Sequence, residues 1–246
     1  MLKDIRVGTA GWAIPRQCAQ YFPDTGTGLE RYATRFGAVE INSTFRQLHK
    51  ANTLERWKVT VPDGFRCSVK FPKVVSHDLR LVGTHDYLVA FLATTRNLSE
   101  KLGPFLLQLP PSLAYDRRVA RRFFQLLRKL TVQNVVCEPR HPTWFEHGAN
   151  CLLLEFGIAR VAAHPARVPA AASPGGVSTI AYFRLHGAPR MYYSLYDEEF
   201  LARTEAAVLA NEADEIWCIF DNTASGAAMA NALAMKSRLG STAEYT

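Results

Sequence analysis

The sequence predicts an α/β protein, a single-domain (β/α)8 TIM barrel that extends over residues 1–246. Three observations support this fold class. The 246 residues are close to the roughly 250 that are typical of such a barrel. Eight short apolar segments alternate with amphipathic ones, a pattern that indicates parallel strands joined by right-handed crossovers. No G-x-G-x-x-G motif follows the first apolar segment, which argues against an open dinucleotide-binding sheet.

The eight strands are predicted where short apolar runs occur, at residues 5–10, 38–42, 65–71, 105–109, 134–138, 158–163, 180–186 and 215–221. Helices are predicted at residues 29–36, 84–102, 115–130, 197–210 and 224–239, with a shorter one at 51–59. The connection after strand six is irregular, because residues 164–179 carry three prolines and two glycines and have no helical period. We therefore expect its helix to be short or missing.

Composition and charge narrow the classes of function. No stretch of 18 apolar residues and no secretory h-region is present, so we expect a cytoplasmic protein without membrane contact. The five cysteines form no C-x-x-C pair, which argues against a disulfide framework or structural zinc. A net charge of +7 favours anionic partners. Nucleic acid stays open but is not favoured, because the basic helix at 115–130 is interpreted as a solvated outer face.

Polar residues concentrate at the carboxyl ends of the predicted strands, where barrels carry their active sites. In strands two, three, five and seven the polar residues are two positions apart, so they share one face. We expect that face to point into the barrel. The intervening residues should pack against helices; they are Val39, Ile41, Val69, Cys137 and Leu185. The charged groups should then form a paired network, because unpaired buried charge is costly.

From this rim we predict two sets of functional residues. The catalytic candidates are Glu40, Lys70, Glu138, His186 and Asp221. The ligand-binding candidates are Asn42, His77, Gln108, Arg140, His141, Arg184, Asn222, Ser225 and Gly226. Ser225 and Gly226 lie where strand eight leads into a helix, whose backbone N–H groups suit an anion, although ordinary N-capping is the alternative. The predicted ligand is small and anionic or sugar-like.

No cofactor is predicted, although a divalent metal stays open. Carboxylates and imidazoles at the rim are suitable metal ligands. However, no H-x-H or H-E-x-x-H motif is present, and the neighbouring Lys and Arg residues would oppose a cation. A Ser-His-Asp triad has less support, since G-x-S-x-G is absent and Ser43 has no evident base partner in the sequence.

Seven segments, in order along the chain, resemble the YecE-like family, a domain of unknown function (number 72). They are VGTAGW at 7–12, VEINSTF at 39–45, VKFPKVVSH at 69–77, LLQLPPS at 106–112, EPRHPTW at 138–144, YFRLHG at 182–187 and FDNTASGAAMANA at 220–232. The resemblance covers residues 5–240 approximately and implies a TIM barrel without an established activity. It suggests only an analogy to apurinic-site endonucleases and sugar isomerases.

Three functions follow from these residues and remain open. The first is a metal-free enzyme for a small anionic or sugar-like substrate, with Glu138 or Glu40 as acid or base. The second is a metal-dependent nucleic-acid phosphodiesterase with metal at Glu138, His186 and Asp221. His164 stands where the family carries an aspartate, which weakens a three-metal nuclease. The third is a non-catalytic ligand-binding protein. The sequence leaves the oligomeric state open.

Overall fold

A computed structural model describes residues 3–242 of the chain, and the side chains of residues 3–240. Its strands are β1 (Asp4–Thr9), β2 (Ala38–Ile41), β3 (Arg66–Lys70), β4 (Leu102–Gln108), β5 (Val135–Glu138), β6 (Ile158–Arg160), β7 (Ala162–His164), β8 (Gly175–Gly176), β9 (Ile180–Leu185) and β10 (Glu215–Phe220). Its α-helices are α1 (Gly28–Ala33), α2 (Ala51–Thr60), α3 (His85–Thr95), α4 (Arg117–Leu130), α5 (His147–Glu155), α6 (Glu198–Ala210) and α7 (Ala227–Thr242). The predicted domain limits, residues 1 and 246, lie outside the described residues.

The parallel strands follow one another around a ring that has two seams. One sheet has the order β1–β10–β9–β7, and the other has the order β2–β3–β4–β5–β6–β8. A single bridge between Ala10 and Glu40 joins β1 to β2. At the other seam, β6 pairs with β5 and β7 pairs with β9. The predicted (β/α)8 barrel is confirmed.

The sixth predicted strand is divided into β6 and β7, with Val161 between them. The Val161 N–H still donates to the Cys137 carbonyl at 2.8 Å, so the chain stays extended while its partner changes. The connection that follows contains only a short 3-10 helix (Pro169–Ala172) and β8, which pairs antiparallel with β6. The predicted irregular connection is therefore confirmed.

Side-chain alternation sorts the strand residues into an outer and an inner core. The five residues predicted to face the helices, including Val39 and Leu185, lie in the outer core. The inner core fills the barrel with Ala38, Leu106, Val136, Ala159, Val161, Ile180, Tyr182, Trp217 and Ile219. A Cβ at Gly103 would lie 2.7 Å from the Trp217 ring, so glycine is needed beside that indole. The polar residues of the rim lie on the same inner face, just beyond the inner core toward the carboxyl ends of the strands, and the inner core packs beneath them.

The helices largely agree with their predicted positions. Helix α4 begins at Asp116, whose carboxylate accepts the N–H groups of Arg118 and Val119. Its apolar side packs inward through Phe123 and Leu127, which agrees with the solvated outer face expected for its basic residues. Helix α5 was not predicted. It buries Ala149, Leu152 and Leu153 at helical spacing, but it is only nine residues long, which is too short for this spacing to distinguish a helix from a short apolar run. Within residues 3–242, no helix is both long and apolar enough to cross a membrane.

Candidate functional site

A fully buried arginine on β9 lies at the centre of the polar rim. The Arg184 Nε and Nη2 atoms donate to the two Glu40 oxygens at 2.9 and 2.7 Å. Its Nη1 donates to Glu138 Oε2 at 2.9 Å and to Gln108 Oε1 at 3.3 Å. Its Nη2 also lies 3.0 Å from Asp221 Oδ2. One guanidinium therefore contacts three carboxylates that arrive from β2, β5 and the end of β10, and the predicted network is formed.

The charges of this network hold Arg184 and Glu138 ionised. Burial lowers the pKa of Arg184, but the carboxylates of Asp221, Glu40 and Glu138 outweigh it and keep that pKa well above its ordinary value. Burial raises the pKa of Glu138, yet the charges of Arg140, His186 and Arg184 hold it well below its usual range. The Arg140 Nε donates to Glu138 Oε1 at 2.9 Å. Each of these buried charges thus has a counter-ion.

The imidazole of His186 lies between two carboxylates. Its Nδ1 is 2.9 Å from Asp221 Oδ2 and its Nε2 is 3.0 Å from Glu138 Oε1. Burial lowers the pKa of His186, but the charge of Glu138 and the bonds to both carboxylates raise it overall. Protonated His186 donates to both carboxylates. In the neutral ring, Nε2 can instead accept from Arg140 Nη2 at 3.3 Å. His186 can thus hold or release a proton at Nε2 with a partner in either state.

A tyrosine that the sequence analysis passed over supports the network from below. The Tyr182 hydroxyl lies 2.9 Å from Glu40 Oε2 and 3.1 Å from Ser68 Oγ. Its ring stacks on Trp217 with centroids 5.9 Å apart. Burial and the Glu40 charge raise its pKa well above the ordinary value, so it stays a hydrogen-bond donor. The two-residue spacing of Tyr182, Arg184 and His186 would have revealed it.

Lys70 differs from the other cations of the rim. Its side chain is buried, with 6% of the residue exposed. The ammonium lies over the Phe45 ring, 4.2 Å from the centroid. Among the residues with described side chains, none forms an ion pair or a hydrogen bond with this ammonium. Burial and the charge of Arg184 lower its pKa to about 8, against the opposing pull of the carboxylates.

Aromatic rings line the rim on the side of Lys70. The His77 ring meets Phe45 edge-on at 5.0 Å. Burial and the charges of Lys70 and Arg140 lower the pKa of His77. Farther along, the Trp57 ring contacts His49 and Trp12, each with centroids 4.8 Å apart. These surfaces are suited to the flat or apolar face of a small ring.

Ser43 does have a base partner, contrary to the expectation from the sequence. Its Oγ lies 2.7 Å from His49 Nε2. Burial lowers the pKa of His49, which favours the neutral imidazole. The two residues are six positions apart, with a 3-10 turn over Ser43–Phe45 between them, and no sequence motif marks such a pair. Among the described side chains no carboxylate orients His49, so a complete triad is not formed.

Three other predicted ligand residues have local partners. His141 Nδ1 accepts the Thr143 N–H at 3.3 Å and caps the 3-10 helix Pro142–Phe145. Asn42 contributes its carbonyl to the turn that begins at Ser43. The Asn222 amide is buried and its Nδ2 donates to Ser194 O and Asn231 Oδ1. The structure therefore places His141 and Asn222 in supporting contacts around the rim rather than against Arg184.

The turn before α7 leaves fewer free amides than the sequence indicates. The helix begins at Ala227, three residues later than predicted, because Thr223–Gly226 forms a tight turn. The Gly226 N–H donates to Thr223 O at 3.1 Å, and φ at Gly226 is +82°. Ser225 Oγ donates to the Tyr193 carbonyl. A cavity of about 290 Å³ lies between this turn and the loop after β1, with a mostly apolar lining.

The phosphodiesterase hypothesis assigned Glu138, His186 and Asp221 to a metal. These side chains hydrogen-bond to one another and do not surround an open metal position. His186 lies between Glu138 and Asp221, and Arg184 contacts both carboxylates. Within the described part of the chain, no group of three or more His, Cys, Asp or Glu side chains is placed to hold a metal ion. The guanidinium charges beside these oxygens oppose a divalent cation.

The chain is similar to known proteins in both sequence and structure. The family model described as "Protein of unknown function DUF72" matches residues 6–246. The UPF0759 protein YecE of Escherichia coli K12 is 31% identical over 155 residues, which are 63% of this chain and 55% of that protein. The same values hold for YecE of Escherichia coli O157:H7. The match thus spans about half the length of these curated relatives.

Solved structures are similar over almost the whole chain. A DUF72 family protein from Thermotoga maritima has a TM-score of 0.81 and 25% identity, and the match covers 96% of this chain and 99% of that one. A DUF72 family protein from Enterococcus faecalis has a TM-score of 0.80 and 22% identity, with 97% and 98% covered. These likenesses support the fold, and the names specify no ligand or reaction.

Proposed function

Since this chain belongs to the DUF72 family of unknown function, we propose a function from the chemistry of its own barrel mouth. The protein binds a small anionic or sugar-like ligand at the carboxyl ends of the strands. His186 and Glu138 then exchange a proton with that ligand.

The observation that carries the proposal is the ammonium of Lys70. The side chain is largely buried at the rim and the ammonium forms no ion pair or hydrogen bond with a described side chain, whereas Arg140 and Arg184 both contact carboxylates directly. A buried charge without a partner is costly. An anionic group of a ligand, such as a carboxylate or a phosphate, would supply that partner. Protonation of His186 adds further positive charge to the same face.

The aromatic rim supports a ligand with a ring or a short carbon chain. Phe45 and His77 lie beside Lys70, and Tyr192 lies edge-on to His186 with centroids 5.7 Å apart. The Tyr192 hydroxyl accepts from Arg140 Nη1 at 3.3 Å. An apolar sugar face can pack on such rings while its hydroxyls reach the polar network.

Proton exchange is assigned to the pair His186 and Glu138. The 3.0 Å contact between Nε2 and Glu138 Oε1 lets a proton pass between the ring and that carboxylate, and the bound group would give its proton to this pair or take one from it. Asp221 orients the ring through Nδ1 at 2.9 Å. An imidazole suits proton exchange because its ordinary pKa is close to neutral pH, and the two carboxylates raise the pKa of His186 from that value.

The test is a panel of phosphorylated sugars and sugar acids, measured by thermal shift and by isothermal titration. For an anionic ligand that the wild type binds, we expect K70A to weaken binding by about tenfold or more. K129A changes an exposed lysine on α4 and should bind as the wild type does. E138Q should bind the ligand but lose turnover.

Two results would contradict the proposal. Equal affinity of K70A and the wild type would remove Lys70 from the site, and failure of the wild type to bind any member of the panel would remove the anionic ligand. A ligand that depends on Lys70 but is recovered unchanged from the wild type would support binding and refute the proton-transfer role.

A further inference from the structure

The position of Lys70 suits a nucleophile as well as a charged group that contacts an anionic ligand. We propose that its amine forms a Schiff base with a small carbonyl compound, an aldehyde or ketone that also carries an anionic group. This inference rests on the proposed function, because it places the ligand in the same mouth. It adds the substrate class and a covalent step.

The strand register directs Lys70 into the barrel. Ser68 pairs in register with Glu40, and its Oγ contacts the inner Tyr182. Lys70 is two residues farther along β3 and pairs in register with the inner-core Leu106. The Lys70 carbonyl accepts from Thr44 Oγ1 at 2.6 Å, which ties the strand end to the next loop. The side chain is therefore fixed on the inner face at the end of its strand.

The surroundings of the amine favour its neutral form. The like charge of Arg184 acts on the Lys70 amine, and the amine lies over the Phe45 ring. A pKa of about 8 leaves roughly a tenth of the amine unprotonated at pH 7, whereas an unperturbed lysine is unprotonated in roughly one molecule in a few thousand. Desolvation together with a neighbouring cation is the known way to activate a lysine for attack on a carbonyl carbon.

The step balances without a further reactant. The amine lone pair attacks the carbonyl carbon, a C–N bond forms, and the carbonyl oxygen takes a proton to give a carbinolamine. The nitrogen has meanwhile lost a proton, and the hydroxyl leaves as water after a second protonation. The C–O bond breaks, the nitrogen lone pair forms the C=N bond, and a protonated iminium remains. His186 is the proton carrier on the same face, since Glu138 and Asp221 hold its ring in either protonation state.

Lys101 provides a matched comparison within the chain. It is equally buried, at 2% exposed. Its ammonium, however, donates to the Pro62 carbonyl at 2.9 Å and pairs with Asp63 at 3.3 Å. Burial alone thus does not set Lys70 apart, and the two lysines differ in whether the ammonium has a partner. If the missing partner confers reactivity, Lys70 should react and Lys101 should not.

The experiment is reductive trapping on the full chain. The protein is incubated with pyruvate or with dihydroxyacetone phosphate and sodium cyanoborohydride, and the lysines are then mapped by mass spectrometry. We expect the adduct on Lys70 to exceed that on Lys101 and on the exposed Lys129 by about tenfold or more. Its rate should rise between pH 7 and pH 9. K70R and K70M should lose it, and K129R should keep it.

The outcomes separate this inference from the proposed function. Labelling of Lys70 no greater than that of Lys129 with both probes overturns the Schiff base. If anions still bind in a Lys70-dependent manner in that case, the proposed function stands and Lys70 is a charge contact only. If neither ligand binding nor an adduct is found, both the Schiff base and the proposed function are refuted. The comparison within the wild type needs no variant, so a poorly folded K70M does not affect the result.

Discussion

Replacing Lys70 by methionine should stabilise the protein, because the wild-type lysine is largely buried and its ammonium forms no direct ion pair with a described side chain. The pKa of Lys70 falls from 10.5 to about 8 in the folded state. At about 1.4 kcal/mol for each pKa unit, the folded protein disfavours the charge by about 3 kcal/mol at neutral pH. Methionine keeps most of the aliphatic stem and carries no charge. We expect K70M to raise the free energy of unfolding at pH 7 by about 1–3 kcal/mol, after relaxation reduces the full value.

The pH dependence gives this prediction its sign. The pKa of Lys70 is lower in the folded than in the unfolded chain, so the unfolded chain binds the additional proton between pH 8 and pH 10.5. Over that interval the stability of the wild type rises relative to K70M, and the advantage of K70M shrinks. Urea denaturation of the wild type, K70M and K129M from pH 7 to pH 10 measures the difference. A K70M protein that is less stable at pH 7, or a difference that is independent of pH, would refute the reasoning.

Three further predictions concern the network and the ring. R184M removes the guanidinium that three buried carboxylates share and should lower the free energy of unfolding by about 3–5 kcal/mol. R121M loses a surface pair with Glu155 and a contact with the Phe156 ring and should cost much less; urea titration that ranks them otherwise would contradict this. The pKa of His186 is raised in the folded state, so protonated His186 stabilises the fold fully below pH 6.5, and this stabilisation is lost as the pH rises through the folded pKa. Over that pH range the wild type should lose stability relative to H186Q. An NMR titration that places the pKa of His186 below 6.5 would oppose this prediction. In G8A the new Cβ would lie 2.3 Å from the Ala38 carbonyl oxygen, so thermal unfolding should show a loss of about 1–3 kcal/mol, while G64A, with open space around its Cβ, should change little; equal effects would be inconsistent with crowding.

Much of the rim could be predicted from the sequence because strand geometry has a period of two. The two-residue spacing of Arg184 and His186 is enough to indicate that both side chains lie on the same face of the strand. The ion-pair partners could not be predicted, since the contact of Glu40 with Arg184 depends on how strands distant in sequence meet across the ring. The sequence also could not reveal that the Lys70 ammonium forms no direct ion pair, because a paired and an unpaired lysine look alike in a sequence.

The remaining differences have local physical causes. The division of strand six at Val161 depends on which neighbour each half pairs with, and apolar runs carry no information on pairing. The contact between Ser43 and His49 arises from a 3-10 turn, whose sequence pattern is weak. Helix α7 begins late because the backbone at Gly226 adopts a positive φ, which ends the turn before the helix can start.

Because the ring of strands has two seams, the charge network also holds the two sheets of the barrel together. Where main-chain pairing is reduced to the bridge at Ala10 and Glu40, side chains connect the two sheets instead. Arg184 on β9 reaches across to Glu40 on β2 and to Glu138 on β5. A change of charge at the mouth therefore also changes how firmly the two halves are held together. Amide hydrogen exchange at Gly11, whose N–H donates to the Glu40 carbonyl across one seam, would then report whether the mouth is occupied.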